Sequence, residues 1–302
     1  MDVDTLTRRG GTPFRGALLA WAGCLFAAVA VLLLDSTQPP VWGAILTAGG
    51  SYLNLTGMGT MLLAFICEFI DSTLGMGYGT TLTPALLLLG FEPKAIVPAV
   101  LLSQFLSGLT AALLHHGVGN VSLRRGSRSR RVVYVLAGCG LGGTLLAVTV
   151  SLRVPVLFLK VYIGGLVVAV GAVILLTVGR SFRFSWARIA GVGLVAAFNK
   201  GLSGGGYGPL VTGGQMMVGL GPKGAVGVTA AAEGLTCMLG VLLYAVTAGI
   251  DSRLALPLVA GAMCSVPLSV MSVKALPSRD LRVGIGVATI LLGLVTLSRA
   301  LL

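Results

Sequence analysis

Six stretches of the chain run for about 20 residues with almost no charge inside them, at about 94–116, 132–151, 156–178, 223–247, 254–274 and 281–302. A helix of that length crosses the hydrocarbon core of a bilayer. A membrane strand alternates apolar and polar residues instead, and these runs do not alternate. Only 10% of the residues are charged and 56% are hydrophobic, against about a quarter charged in soluble domains. The chain therefore reads as an all-α polytopic membrane protein.

The net charge of +12 and the stretch "RRGSRSRR" at Arg124–Arg131 raise the question of nucleic acid. No aromatic residues interleave with those arginines and no reader fold is recognisable, so nucleic-acid binding is not expected. Basic loops on the cytoplasmic side of a membrane account for the charge. The five cysteines (Cys24, Cys67, Cys139, Cys237 and Cys264) lie in apolar segments without a CxxC pair, and read as packing residues. No metal site or cofactor is expected. The N-terminal segment, 1–57, holds Arg8, Arg9 and Arg15 and then an apolar run from 16 to 34. That run is long for a signal peptide and no small-x-small cleavage site follows it, so it reads as a retained transmembrane helix.

The chain is also duplicated. "FIDSTLGMGYGTTLT" from Phe69 aligns with "FNKGLSGGGYGPLVT" from Phe198 at an offset of 129, which continues to Pro93 and Lys94 against Pro222 and Lys223. Two repeats follow, 58–180 and 181–302. Each begins with an apolar segment broken by glycines, at about 58–90 and 187–219, and continues with three ordinary spans. If each broken segment is a re-entrant hairpin of two short helices, each repeat changes sides an odd number of times and the second is inverted. With the N-terminus cytoplasmic, this arrangement puts fifteen of the 21 lysines and arginines on the cytoplasmic side and five outside, leaving Lys200 within the bilayer. The C-terminus is then outside. The bias favours inversion.

Irregular backbone at membrane depth needs protein or a wet cavity around it. The two breaks enter from opposite faces and are expected to meet near the midplane. Gly75, Gly77 and Gly79 in one, and Gly204, Gly205, Gly206 and Gly208 in the other, let backbone approach a ligand without a Cβ in the way. The helices that restart after the breaks present free N–H groups and a positive dipole end, a seat for an anion. Ser72, Thr73, Thr80, Thr81, Ser203 and Thr212 add hydroxyls. The same glycines suit close helix packing; the paired GxGxG spacing with flanking hydroxyls favours ligand contact. Charged side chains inside spans are few and need partners. Glu68, Asp71, Lys200 and Glu233 are those here. Asp71 and Lys200 are repeat equivalents, either a structural lock or an anion-binding lysine tuned by its acid. Gln104 and Glu233 are also equivalents, and Asn199 and Gln215 are further amides. His115 and His116 end a span beside the basic loop and read as an interfacial pair, with a proton relay or metal site as the alternative.

The stretches "LGMGYGTTLTPALLLLGFEPKAIVPAVLLSQ" and "LSGGGYGPLVTGGQMMVGLGPKGAVGVTAAAE" resemble the sulfite exporter TauE/SafE family over roughly 58–300. The resemblance implies transport, in the usual direction of export, of small sulfur-containing anions such as sulfite or sulfonates across a bacterial or archaeal inner membrane. No nucleophile and base pair and no His-x-x-x-His-type metal signature is visible in the sequence, so no enzymatic activity is expected. Met76 and Tyr78 replace the family's usual glycine run in the first half, where Tyr78, like Tyr207, is expected to narrow the tip. The substrate-binding set read from this pattern is Ser72, Thr73, Gly75, Gly77–Thr81, Asn199, Lys200 and Ser203–Gly208. Glu68, Asp71, Gln104 and Glu233 are candidates for ion pairing or proton coupling. The rival readings are a proton-coupled cation or metal permease and a passive anion channel.

Overall fold

A computed structural model describes residues 55–91, 93–151, 156–178, 183–203, 207–247 and 249–301. The helix expected at 16–34 lies outside the described residues. Within them the chain is helical throughout: α1 (Leu55–Leu74), α2 (Tyr78–Leu88), α3 (Pro93–Val118), α4 (Arg128–Ser151), α5 (Val156–Leu176), α6 (Trp186–Ser203), α7 (Tyr207–Met217), α8 (Pro222–Thr247), α9 (Ser252–Ala275) and α10 (Ser278–Leu301). Among the described residues, α1, α3, α8 and α9 are each long and apolar enough to cross a membrane.

The elements stop where the sequence supplies a reason. Pro93 and Pro222 open α3 and α8, a position where the missing N–H costs nothing. Asp251 caps α9 by accepting a hydrogen bond from Arg253 N at 2.9 Å. α1 ends because Gly75 and Gly77 adopt φ of +74° and +124°, values that side chains with a Cβ rarely adopt. The first limb of each broken segment is longer than the two short helices expected: α1 has 20 residues and α6 has 18, while α2 and α7 have 11 each. No breaker interrupts the run before Gly75, so α1 grows to about 30 Å.

α1 turns an apolar stripe of Met58, Leu62, Ile66 and Ile70 outward. That is the i, i+4 spacing of one helix face, as expected of a face toward lipid. α3 and α8 run antiparallel through the middle. They approach closely because both carry glycine at the crossing: a Cβ on Gly108 would lie 3.0 Å from Ala230 O, and one on Gly234 would lie 2.9 Å from Leu109 N.

The packing respects the duplication but not the division between the halves. α1 lies along α9, and its repeat equivalent α6 lies along α4, the equivalent of α9. α3 pairs with its own equivalent α8, and α5 with its own equivalent α10. Among the described residues the two largest hydrophobic cores follow this pattern. One gathers α1, α2, α3 and α9 around Tyr78, with Ala64, Leu82, Leu102 and Leu258. The other gathers α6, α7, α8 and α4 around Tyr207, with Ala196, Val211, Ala232 and Leu136. Each core takes most of its residues from one half and borrows a long helix from the other, α9 in the first and α4 in the second.

Candidate functional site

The two breaks touch. Gly208, in the first turn of α7, packs so closely on the first break that an added Cβ would lie 2.7 Å from both Gly75 O and Met76 Cα. Four residues on, Thr212 Oγ1 donates to Gly75 O at 2.7 Å. That carbonyl is free because the chain leaves the helix there. Behind Thr212 stands a directed chain. Gln215 Nε2 donates to Thr229 Oγ1 at 2.8 Å. Thr212 and Thr229 hydroxyls are 2.9 Å apart. Since Thr212 gives its proton to Gly75, Thr229 gives its own to Thr212. The order is Gln215, Thr229, Thr212, Gly75, and all three side chains are buried. Gln215 Oε1 is buried without a partner among the described residues.

The contact sits off the centre of the bundle. Thr229 is seven residues inside α8, about 10 Å along a helix of about 39 Å. The length of α1 carries its break past the bundle middle, beyond the level at which α3 and α8 cross.

Asp71 holds the other side of the break. Its backbone O accepts from Gly75 N at 2.6 Å, and its Oδ1 accepts from Tyr78 N at 3.2 Å. A carboxylate at the start of α2 therefore takes one of the N–H groups read from the sequence as an anion seat, and complements the helix dipole. The Lys200 side chain lies outside the described residues, as do those of Asn199, Ser203 and Thr80 and the whole of Gly204–Gly206; the Asp71–Lys200 pairing lies there with them. Ser72 donates to the Glu68 carboxylate at 2.5 Å. Thr73 Oγ1 is buried with no partner among the described residues, and Thr110 Oγ1 on α3 is in the same condition. Gly77 is buried, Gly79 is half-buried, and Thr81 is exposed, away from the contact.

Tyr78 departs from its expected place. It is fully buried, and its hydroxyl lies 2.6 Å from Ser103 Oγ, which itself donates to Leu258 O at 3.1 Å. Tyr78 is therefore the donor, and its ring and hydroxyl tie α2 to α3 and α9 instead of narrowing the tip. Met76 is the side chain at the tip. It is buried against Gly208, and the Thr289 hydroxyl of α10 lies 3.2 Å from its sulfur.

At the crossing of α3 and α8, Gln104 Nε2 donates to Glu233 Oε1 at 3.2 Å, and Cys237 Sγ lies 3.7 Å from Gln104 Oε1. Residues equivalent in the two repeats thus bond directly. Glu68 is buried nearby, within electrostatic reach of Asp71 and Glu233. Among the described residues no three His, Cys, Asp or Glu side chains converge as a metal site does.

His115 does not face the surface of the protein. It is buried, because α3 continues to Val118 and the next loop folds back over it. Asn120 Nδ2 donates to His115 Nδ1 at 3.0 Å and to Val270 O at 3.1 Å. Nδ1 is thereby an acceptor, so Nε2 carries the proton and donates to Ser72 O at 3.1 Å. That carbonyl belongs to the last turn of α1, where no helical partner remains. His116 turns away and accepts from Leu123 N at 3.3 Å.

The family model for "Sulfite exporter TauE/SafE" matches residues 60–296, nearly the whole of the described structure. The chain belongs to the sulfite exporter TauE/SafE family. This TauE/SafE chain is also 24% identical over 227 residues, 70% of its own length and 73% of the relative's, to the "Probable membrane transporter protein YtnM" of Bacillus subtilis (strain 168). No solved structure matches it. It is a multi-pass membrane protein of a transporter family.

Proposed function

We propose that the protein is a secondary transporter that exports small sulfur-containing anions, such as sulfite or a sulfonate, by alternating access around the two touching breaks. The observation that carries this reading is the contact itself. Gly208 and Thr212 of one break rest on Gly75 and Met76 of the other, with Thr212 Oγ1 donating to the Gly75 carbonyl. Two irregular backbones that abut inside a membrane bundle are where inverted-repeat transporters bind their substrates. The antiparallel crossing of α3 and its repeat equivalent α8, where Gly234 meets Leu109 and Gly240 meets Leu101, supports an inverted relation of the repeats.

The same packing supports a reading in which two bodies move. One body is α1, α2 and α9 with α3; the other is α6, α7 and α4 with α8. Sliding one against the other at the Gly108–Gly234 crossing parts Thr212 from Gly75 and opens the breaks to one side. The anion is received by the first turns of α2 and α7, by the hydroxyls of Ser72 and Thr73, and by Lys200. Asp71 leaves Tyr78 N as the anion arrives, since the two compete for one positive helix end. An ion gradient supplies the energy, with Glu68, Asp71 or Glu233 as the proton carrier.

Purified protein in proteoliposomes tests the reading. Labelled sulfite and sulfoacetate are expected to show saturable counterflow, lost in Lys200→Ala. Non-saturating flux indicates a channel. Glu68 and Glu233, both buried inside the bundle, favour a cation permease as the second reading. In that case Glu233→Gln abolishes divalent-cation flux, Lys200→Ala leaves it intact, and sulfur anions do not move.

A further inference from the structure

From Pro93 to Ala232 the chain contains no aspartate or glutamate, yet this stretch carries thirteen of its 21 lysines and arginines. The fold concentrates part of that charge at one place. α4 and α6 run side by side in the same direction: Leu136 and Cys139 of α4 face Gly193 of α6, and Gly143 faces Ala197 and Phe198. Their N-termini therefore emerge together, and two positive dipole ends add to the arginines around them.

The arginines at this junction are held in place. The Arg128 guanidinium lies 4.7 Å from the centre of the Phe184 ring, and that of Arg131 lies 5.6 Å from the centre of Trp186. Phe184 and Trp186 meet edge to face at 4.9 Å. Arg130 Nε donates to Tyr134 OH at 2.9 Å. The loop before α4 is pinned by Ser127 Oγ, which donates to Ser122 O at 2.7 Å and accepts from Arg130 N at 3.2 Å. Arg183 and Arg188 flank the junction, exposed. No carboxylate answers any of these groups among the described residues. α9 shows the contrast: its N-terminus carries Asp251 as a cap, whereas α4 has only a neutral serine.

A positive cluster of this density calls for an anion from outside the chain. The aromatic setting says which kind. Tyr134 and Trp186 are exposed beside the arginines, and such rings settle at the headgroup level of a bilayer. Below them α4 and α6 continue as apolar helices. Basic pockets between transmembrane helices at that depth bind phosphate headgroups. We propose that the junction of the α4 and α6 N-termini is a binding site for the phosphate of an anionic phospholipid, which acts as the missing counter-ion and ties the two helix ends together. This site is separate from the touching breaks and does not depend on what they transport.

The test uses the full-length protein, purified in neutral detergent and titrated with phosphatidylglycerol or phosphatidylcholine, with bound lipid read by native mass spectrometry and melting followed in parallel. Phosphatidylglycerol is expected to be retained and to raise the melting temperature, and phosphatidylcholine to do neither. An arginine near an anionic surface contributes about a fivefold factor in affinity, so Arg128→Gln with Arg131→Gln is expected to lower retention about 25-fold. Arg128→Lys with Arg131→Lys keeps the charge and most of the retention. Lys223→Gln with Lys274→Gln, a pair in which Lys223 Nζ donates to Lys274 O and neither stacks on the Phe184–Trp186 rings, leaves retention unchanged. Equal retention of the two lipids overturns the proposal, as does equal loss in the Lys223/Lys274 variant. Inorganic phosphate that raises the melting temperature as far as the lipid does, and loses this effect in the arginine variant, makes the site one for a soluble anion and also overturns it. If the glutamine variant does not fold, the unaltered protein's choice between the two lipids and phosphate still decides.

Discussion

Replacing Thr212 by valine removes one hydroxyl and almost no volume, so it isolates the bond between the two breaks. Two hydrogen bonds go: the one given to Gly75 O and the one taken from Thr229. In a soluble core, stranding a buried acceptor and a buried hydroxyl costs about 1–3 kcal/mol each. In membrane proteins the unfolded helices find other partners, and such bonds average about 0.6 kcal/mol with a maximum near 1.7. The membrane figure applies here, which gives a loss of about 1–3 kcal/mol. Unfolding the purified protein by titration with a denaturing detergent measures it. Thr229→Val breaks the same chain one link earlier, so the double variant is expected to cost less than the sum of the two single ones, as for any pair sharing an interaction. Thr212→Ser, which keeps the hydroxyl, is expected to recover most of the loss. A Thr212→Val protein within 0.3 kcal/mol of the parent (the usual additivity error is about 0.3–0.5) would falsify the chain, and so would strict additivity with Thr229→Val.

Three further substitutions probe the neighbouring contacts. Gly208→Ala puts a methyl against backbone that cannot move aside; it is expected to cost about 1–3 kcal/mol by overpacking and to stop transport, whereas Gly59→Ala, with open space around it, changes neither, and a fully active Gly208→Ala would show that the breaks do not meet. His115→Ala leaves Ser72 O and Asn120 unpaired and is expected to speed amide hydrogen exchange across 72–78, while His115→Gln, which also offers a donor and an acceptor, exchanges close to the parent rate; unchanged exchange in the alanine variant refutes the strut. Asp71→Asn still accepts from Tyr78 N, so it is expected to melt close to the parent, while Asp71→Ala loses about 1 kcal/mol as other helix caps do; equal losses in the two would mean that the charge and not the cap matters.

Much of this architecture is written in local pattern. The span boundaries follow from apolar runs and from Pro93 and Pro222, and the breaks follow from glycines that recur at an offset of 129. The contact between the breaks is harder to read, because Thr229 looks like a lone hydroxyl in an apolar helix. Its role depends on Thr212 and Gln215, which reach it from α7. Tyr78 was legible as special but not in its direction: the partner of its hydroxyl, Ser103, is itself fixed by Leu258, 155 residues further on. His115 ends the apolar run and adjoins five arginines, which suggests an interfacial residue; only the fold of Asn120 back over α3 buries it. The exchange of α4 and α9 leaves no trace in composition. Charge counts assign loops to sides of the membrane, but say nothing of which helix an apolar face will meet.

The borrowed helix has a consequence for how the protein is made. Ser103 and Tyr78 are committed to a partner, Leu258, that leaves the ribosome 155 residues after Ser103. At about 5–20 residues per second the first core stands open for about 10–30 s, with a buried-to-be hydroxyl pair facing lipid and no α9 to cover it. The second core has no such wait, because α4 is already in the membrane when α6 arrives. Biogenesis is therefore lopsided: the half synthesised first is completed last, and the insertion machinery must shelter α1 to α3 until the chain is nearly finished.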